Sequence, residues 1–160
     1  MKRKIIIECQ KDVKDCGPCC LSSIIKFYDG YVPLEKIRMD TFTSYEGVSA
    51  YHILKAAEKY GFDGFVKKSN NKNLSEIILP AIVHVIYKNG LTHFMCLYEI
   101  KGNNYILMDP SKGKIKMAKS DFDEIFSGVF IELFPKNKII LLIFKNNKNI
   151  DNTPIKEDKI

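Results

Sequence analysis

Cys16, within Asp15-Cys16-Gly17-Pro18-Cys19-Cys20-Leu21, is the side chain best placed for chemistry. The stretch reads as a loop running into a helix. Pro18 suits a first helical turn, where its missing N–H leaves nothing unpaired. The apolar series Leu21, Ile24, Ile25, Phe27, Tyr28 continues at helical spacing to Gly30, the expected C-terminal cap. Cys16 then lies at a helix N-terminus, near unpaired N–H groups and the positive end of the helix dipole. That setting favours the thiolate, the nucleophilic form of cysteine. Upstream, Gln10 offers a side-chain amide that can donate to the oxyanion formed when a thiolate attacks a carbonyl. Cys19 and Cys20 fall in the apolar part of the helix and read as core residues. Cys16 and Cys19 share the C-x2-C spacing of zinc sites, but no second pair of ligands follows, so no metal is expected.

A thiolate needs a base, and the base needs an orienting group, usually distant in sequence. Three histidines are available. His93 opens a strand directly after a turn, where a side chain can reach a cleft. His84 sits within an apolar strand and reads as a core histidine, and His52 as a partly exposed helix residue. Asp109 ends the strand that follows the one carrying His93, so the two can lie side by side. A plain two-residue hairpin at Gly102-Asn103 would set Asp109 opposite Cys96, with the wrong parity to share a face with His93. Either a bulge or a position beyond the strand end is required.

The elements that must position these groups divide into two halves. Ile5 to Glu8 form an extended lead-in, and the Cys16 helix runs to about Tyr28. A second helix starts after Pro33 and a third at the N-cap Ser49, stopped by Gly61. The period then changes. Strands are predicted at Phe62–Val66, Ala81–Tyr87, His93–Ile100, Tyr105–Met108, Lys114–Met117 and Val129–Phe134. A short helix is predicted over Leu74–Leu79, stopped by Pro80, and another capped by Ser120 and carrying Phe122, Ile125 and Phe126. Helices first and an antiparallel meander after make an α+β domain. The expected division is a globular domain over 1–135 and a terminal strand with a Lys/Asn-rich linker or tail over 136–160, the strand within Ile139–Phe144.

At 160 residues, with 46% apolar side chains, the chain is long enough for one domain with its own core. No apolar run approaches the length of a membrane span. The apolar stretch Ile5-Ile6-Ile7 is too short for a secretory signal, so a cytoplasmic location is expected. Five cysteines, two of them adjacent, suit reduced thiols rather than a disulfide scaffold. The net charge is +6, but the lysines are scattered and no aromatic residues interleave with a basic stripe. The charge therefore reads as a solvated surface suited to an anionic membrane face, and no nucleic-acid partner is expected.

Gln10-x-Asp12-x-x-Asp15-Cys16-Gly17-Pro18-x-Cys20-Leu21 resembles the start of the family C39 cysteine peptidase domain of peptidase-containing, bacteriocin-exporting ABC transporters. Later landmarks resemble it too: Gly47-Val48-Ser49, Ala56-Ala57-Glu58-x-x-Gly61-Phe62, Leu79-Pro80-Ala81-Ile82-Val83-His84, His93-Phe94-x-x-Leu97-Tyr98, Asp109-Pro110-x-x-Gly113 and Ser127-Gly128-Val129. The resemblance spans about Cys9 to Pro135. It implies a papain-like fold, with helices packed on an antiparallel sheet. The implied activity is a cofactor-free cysteine endopeptidase that removes a leader peptide after a double-glycine-type motif, coupled to export. By position it implies Cys16 as nucleophile, His93 as base, Asp109 as orienting residue and Gln10 as oxyanion-hole donor. The implied partners are a precursor with an amphipathic leader and the transmembrane and ATPase parts of a transporter. No G-x-x-x-x-G-K-[ST] phosphate loop occurs in this chain. Two alternatives keep the fold: a non-catalytic domain that docks substrate without cutting it, and another papain-like thiol amidase. Phe42, Tyr45, Tyr51 and Phe65 are candidates for a leader-binding patch, although each singly reads as core.

Overall fold

The computed structural model describes residues 4–44 and 47–136. The Ile139–Phe144 segment and the Lys/Asn-rich tail lie outside the described residues, as does Tyr45. A 3-10 turn at Val13–Asp15 leads into α1 (Cys16–Phe27), followed by α2 (Leu34–Asp40) and α3 (Ala50–Lys59). Strands β1 (Phe62–Lys68), β2 (Ala81–Ile86), β3 (Thr92–Lys101), β4 (Asn104–Asp109) and β5 (Gly113–Ala118) follow. Then come α4 (Lys119–Ile125) and β6 (Phe126–Pro135). The six strands form one sheet in the order β1-β6-β2-β3-β4-β5, with every pairing antiparallel. The expected α+β class is what the chain adopts. The simple meander holds from β2 to β5, while β6 returns to lie between β1 and β2.

Both sheet faces are buried, because strand residues alternate between two cores. Cys20, Leu21, Ile24 and Ile25 of α1 and Ile53, Ala56 and Ala57 of α3 pack with Ile82, Phe94, Cys96, Met108 and Ile131 of the sheet. On the other side Val83, Val85, Met95, Leu97, Tyr105 and Leu107 pack with Phe122 of α4 and with Phe126 and Phe130. Gly17 allows the first turn of α1 to sit against the segment before α3. A Cβ there would stand 2.2 Å from the Val48 side chain.

Three local expectations are corrected. The left-handed residue ending α1 is Asp29 (φ 67°), not Gly30. The Gly30 N–H donates to the Ile25 carbonyl and the Asp29 N–H to the Lys26 carbonyl. The short polar side chain of Asp tolerates this conformation, and the paired bonds close the helix. Residues 74–79 form turns rather than a helix. The Asn73 side chain accepts the Ser75 N–H, and the Ile78 N–H donates at 2.8 Å to the buried carboxylate of Glu132, so the local donors are spent on non-helical partners. Ser120 lies inside α4 rather than capping it. Ala118 takes the cap position, the Lys119 N–H donates to Asn103, and Lys119 pairs with Asp123 one turn on. Phe126, expected in that helix, starts β6.

Candidate active site

The site is built at one end of the sheet, where β3 begins and β4 ends. Near the hairpin turn, Lys101 pairs with Asn104 and Glu99 with Ile106, the register of a plain two-residue connection. Beyond Tyr98 the register slips by one, so Leu97 pairs with Leu107 and Cys96 with Met108. Continuing that register puts Asp109 opposite Met95, on the face shared with His93. The bulge that the parity argument required is therefore present, and its extra residue is Tyr98. The Tyr98 hydroxyl lies 2.6 Å from Ser23 Oγ of α1 and accepts from the Ile6 N–H at 3.4 Å. The residue that corrects the register thus also ties the sheet to α1 and to the lead-in.

His93 Nε2 and Asp109 Oδ1 are 2.7 Å apart, with only 8% and 1% of the two residues exposed. Asp109 Oδ1 also accepts from the Ser111 N–H at 2.8 Å and the Ser111 hydroxyl at 2.7 Å. Burial works against the Asp109 charge, but the hydrogen bonds from His93 and Ser111 outweigh it and hold the carboxyl below its usual range. Asp109 is therefore an acceptor, and His93 Nε2–H donates to it. That leaves Nδ1 as the free ring nitrogen, and Cys16 is the other group whose proximity acts on the imidazole. Burial pushes the His93 pKa down. Hydrogen bonds to Asp109 and Cys16, with the charges on both, push it up more strongly, to about 9. The ring consequently holds its proton through neutral pH. Its contribution to stability is fully present below the ordinary value near 6.5 and is lost as pH rises through about 9. With His93 as the proposed acid, the same titration removes the proton that a leaving amine needs. The kcat/KM of peptide cleavage should therefore fall about tenfold per pH unit above about 9. A profile that stays flat to pH 10.5 would contradict this assignment of the acid.

Cys16 opens α1 and is 8% exposed. The preceding residue, Asp15, is fully buried and receives Arg38 of α2 bidentately, Nε to Oδ1 at 2.8 Å and Nη2 to Oδ2 at 2.6 Å. A buried carboxylate left without such a partner costs about 3–5 kcal/mol, so this fork clamps the loop that delivers Cys16. The neighbouring thiols differ from it. Burial, followed by the Asp15 charge, pushes Cys19 up to about 12, and burial pushes Cys20 well above the usual thiol range. Both stay protonated and pack in the core, as expected. Gln10 is fixed by its backbone, with its N–H donating to the Pro110 carbonyl at 2.8 Å, one residue past Asp109. Its side-chain oxygen is buried without a partner.

His84 and His52 lie apart from this group. His84 Nδ1 is 2.8 Å from Ser127 Oγ and its pKa is lowered by burial, while His52 Nδ1 is 3.0 Å from the cap Ser49. Sequence reasoning missed Arg38, Ser111 and Tyr87, whose ring lies 6.2 Å from that of His93. Of the patch candidates, Phe42 and Tyr51 are 69% and 59% exposed rather than core, and both rings contact His52. Met39, 75% exposed, precedes them at the end of α2. Phe65 is also exposed. It stands on β1 beside Phe134, and alternation turns it away from the face on which neighbouring Gly64 meets Leu54 of α3.

The chain is similar to known proteins in both sequence and fold. The Peptidase C39 family model matches residues 4–138. The chain is 38% identical over 138 residues to the lactococcin-G-processing and transport ATP-binding protein LagD of Lactococcus lactis subsp. lactis, covering 85% of this chain and 19% of that protein. It is 32% identical over 137 residues to the mesentericin-Y105 transport/processing ATP-binding protein MesD of Leuconostoc mesenteroides, covering 83% and 19%. The chain thus spans about a fifth of the length of these curated relatives. Among solved structures, it resembles a double glycine motif protease from an AMS/PCAT transporter in complex with the leader peptide. The TM-score is 0.77 and the identity 30%, covering 84% of this chain and 94% of that one. The peptidase domain of Streptococcus ComA, a bi-functional ABC transporter involved in a quorum sensing pathway, superposes with a TM-score of 0.76 at 30% identity, covering 82% and 99%. The arrangement of helices on an antiparallel sheet is accordingly the papain-like one, and the chain belongs to the Peptidase C39 family.

Proposed function

We propose that this chain is the cysteine peptidase domain that removes the leader from a bacteriocin-like or other secreted peptide precursor after a double-glycine-type motif. The observation that carries the proposal is the buried His93–Asp109 hydrogen bond, 2.7 Å long, with Cys16 at the start of α1 close enough to act on the same imidazole. In the proposed reaction the Cys16 sulfur attacks the carbonyl carbon of the second glycine. Gln10 donates to the developing oxyanion. The His93 imidazolium gives its proton to the departing amine of the mature peptide, leaving a thioester on Cys16. The neutral imidazole then takes a proton from water as that water attacks the thioester, releasing the leader carboxylate and restoring the starting pair. Asp109 orients the ring and stabilises its charge throughout.

The relatives matched here are named as processing and transport ATP-binding proteins. The transmembrane and ATPase parts of such a transporter are therefore the proposed partners, in the parent chain or as a separate protein. The cytoplasmic face of the cell membrane is the proposed location. No described helix is long and apolar enough to cross a membrane.

Glycine offers no side chain to bury, so the double-glycine motif acts as a shape filter and affinity comes from the leader helix. The surface proposed for its apolar face is Met39, Phe42 and Tyr51, all exposed, with the Phe42 and Tyr51 rings meeting at His52. A synthetic precursor with an amphipathic helical leader ending in Gly-Gly should be cut after the second glycine, as read by fragment masses. Gly→Val at that glycine should reduce kcat. Leu→Ala on the leader's apolar face should raise KM about tenfold or more, at about 2 kcal/mol per buried side chain. A tetrapeptide ending in Gly-Gly, cut with the same kcat/KM as the full precursor, would remove the case for a remote binding surface.

A further inference from the structure

We propose that Arg38 is a positioning residue for Cys16, acting through the carboxylate of Asp15. The 3-10 turn at Val13–Asp15 is capped by Asp12, whose side chain accepts the Lys14 N–H at 3.1 Å. Asp15 then stands at the N-cap position of α1, where an aspartate carboxylate ordinarily accepts an N–H of the first helical turn. Here it makes no such bond. Both of its oxygens are taken by Arg38 instead, Nε to Oδ1 at 2.8 Å and Nη2 to Oδ2 at 2.6 Å. Its backbone, at φ −88° and ψ 0°, lies outside the extended region that a capping residue adopts. The ψ angle of Asp15 sets the plane of the peptide that leads into Cys16. A carboxylate held by Arg38 thus fixes where the nucleophile begins.

Without the fork the carboxylate has two courses. It stays buried and unpaired, which burial strongly disfavours, or it swings onto the first-turn N–H groups as an ordinary cap. The second course takes Asp15 towards the extended region, and that rotation carries the Cys16 peptide with it. Arg38 removes this alternative. A guanidinium suits the task, because its planar pair of donors fixes the orientation of the carboxylate as well as its distance. The guanidinium is itself anchored. Ile37, beside it in α2, is fully buried in the core shared with α1. The Arg38 carbonyl accepts the Thr43 N–H at 3.0 Å, closing the end of the helix. The fork therefore transmits the placement of α2 to the entry of α1. The Arg38 side chain is 31% exposed while that of Asp15 is fully buried, so the pair is open to solvent on the donor side.

The inference rests on Cys16 being the nucleophile, and the test separates the two. Cleavage of the synthetic Gly-Gly precursor by the whole chain is measured well below the unfolding temperature, for the wild type, Cys16→Ala, Arg38→Ala, Arg38→Lys and Lys36→Ala. Misplacing a reacting group by about 1 Å costs on the order of 10²-fold, and Arg38→Ala should lose about that factor in kcat with KM unchanged. Arg38→Lys, which restores the charge without the fork, should recover part of it. Millimolar methylguanidinium should raise the kcat of Arg38→Ala several-fold, and tetramethylammonium at the same concentration should not. Lys36→Ala breaks the ion pair to Asp40, 2.9 Å long and on the same helix, and should keep the wild-type kcat. If Arg38→Ala does not fold, Arg38→Lys and Asp15→Asn carry the comparison, each with an expected loss of about tenfold in kcat, and wild-type kcat in both would overturn the proposal. A wild type that leaves the precursor uncut, or a Cys16→Ala variant that cuts it, would overturn the nucleophile reading itself. With those two as expected, wild-type kcat in folded Arg38→Ala, a loss confined to KM, or a loss that neither lysine nor methylguanidinium recovers would overturn the role of Arg38 alone.

Discussion

Cys16→Ala should abolish cleavage of a double-glycine precursor, with a loss on the order of 10⁴-fold or more in kcat, while Cys19→Ala and Cys20→Ala should retain turnover. The contrast follows from three thiols within five residues meeting three environments. Cys16 opens α1 and lies near enough to His93 to act on its imidazole. Cys19 and Cys20 are 1% and 0% exposed and held as thiols by burial. The two core substitutions cost stability, since each removes a buried side chain, and so they lower the melting temperature more than they lower kcat. Peptide cleavage and thermal unfolding, measured on the same three variants, separate chemistry from packing. Equal loss of activity in Cys19→Ala with the fold intact by circular dichroism would place the nucleophile elsewhere.

His93→Ala should be the second large effect, on the order of 10⁴-fold in kcat, because in the proposed reaction one side chain serves as acid, base and counter-ion. Its orienting partner is more forgiving. Asp109→Asn keeps partial activity, since an amide oxygen still accepts from Nε2–H and Ser111 still supports the side chain. It also loses the charge that helps raise the His93 pKa, so its alkaline limb should move below about 9. His84→Ala should cut normally. That ring is bonded to Ser127 and packed on Phe94, and it is kept neutral by burial. Loss from His84→Ala equal to that from His93→Ala, in a folded protein, would overturn the choice between them.

What the sequence discloses about this site depends on how local the determining interaction is. Cys16, His93 and Asp109 stood out as candidates because helix entry, strand start and strand end leave residue-type signatures, and Gln10 stood out only as an upstream amide and through the family resemblance. The parity argument even required the irregularity now seen at Tyr98. Ser111 was within reach of sequence reasoning, since an Asp side chain commonly accepts the N–H two residues on. Arg38 carried no such signal. It meets Asp15 across 23 residues, and nothing in α2 distinguishes it from a solvated helix charge. The misplaced helix over 74–79 has the same origin. Leu74, Ile77 and Ile78 have helical spacing, but the Ile78 N–H is claimed by Glu132, 54 residues later. The exposure of Phe42 and Tyr51 likewise depends on how α2 and α3 pack. Their residue types alone pointed inward.

The central claim is that one thiol, Cys16, attacks the carbonyl after a double glycine. The most direct measurement uses a synthetic leader peptide whose C-terminal Gly-Gly carries a chloromethyl ketone, followed by intact-mass and peptide-mapping mass spectrometry. The account predicts one leader adduct per chain, located on Cys16. It should be absent in Cys16→Ala, strongly slowed in His93→Ala, and strongly slowed when the terminal glycine of the probe is replaced by valine. An adduct on Cys9, Cys19, Cys20 or Cys96 with Cys16 unmodified, or a valine probe reacting as fast as the glycine probe, would contradict it.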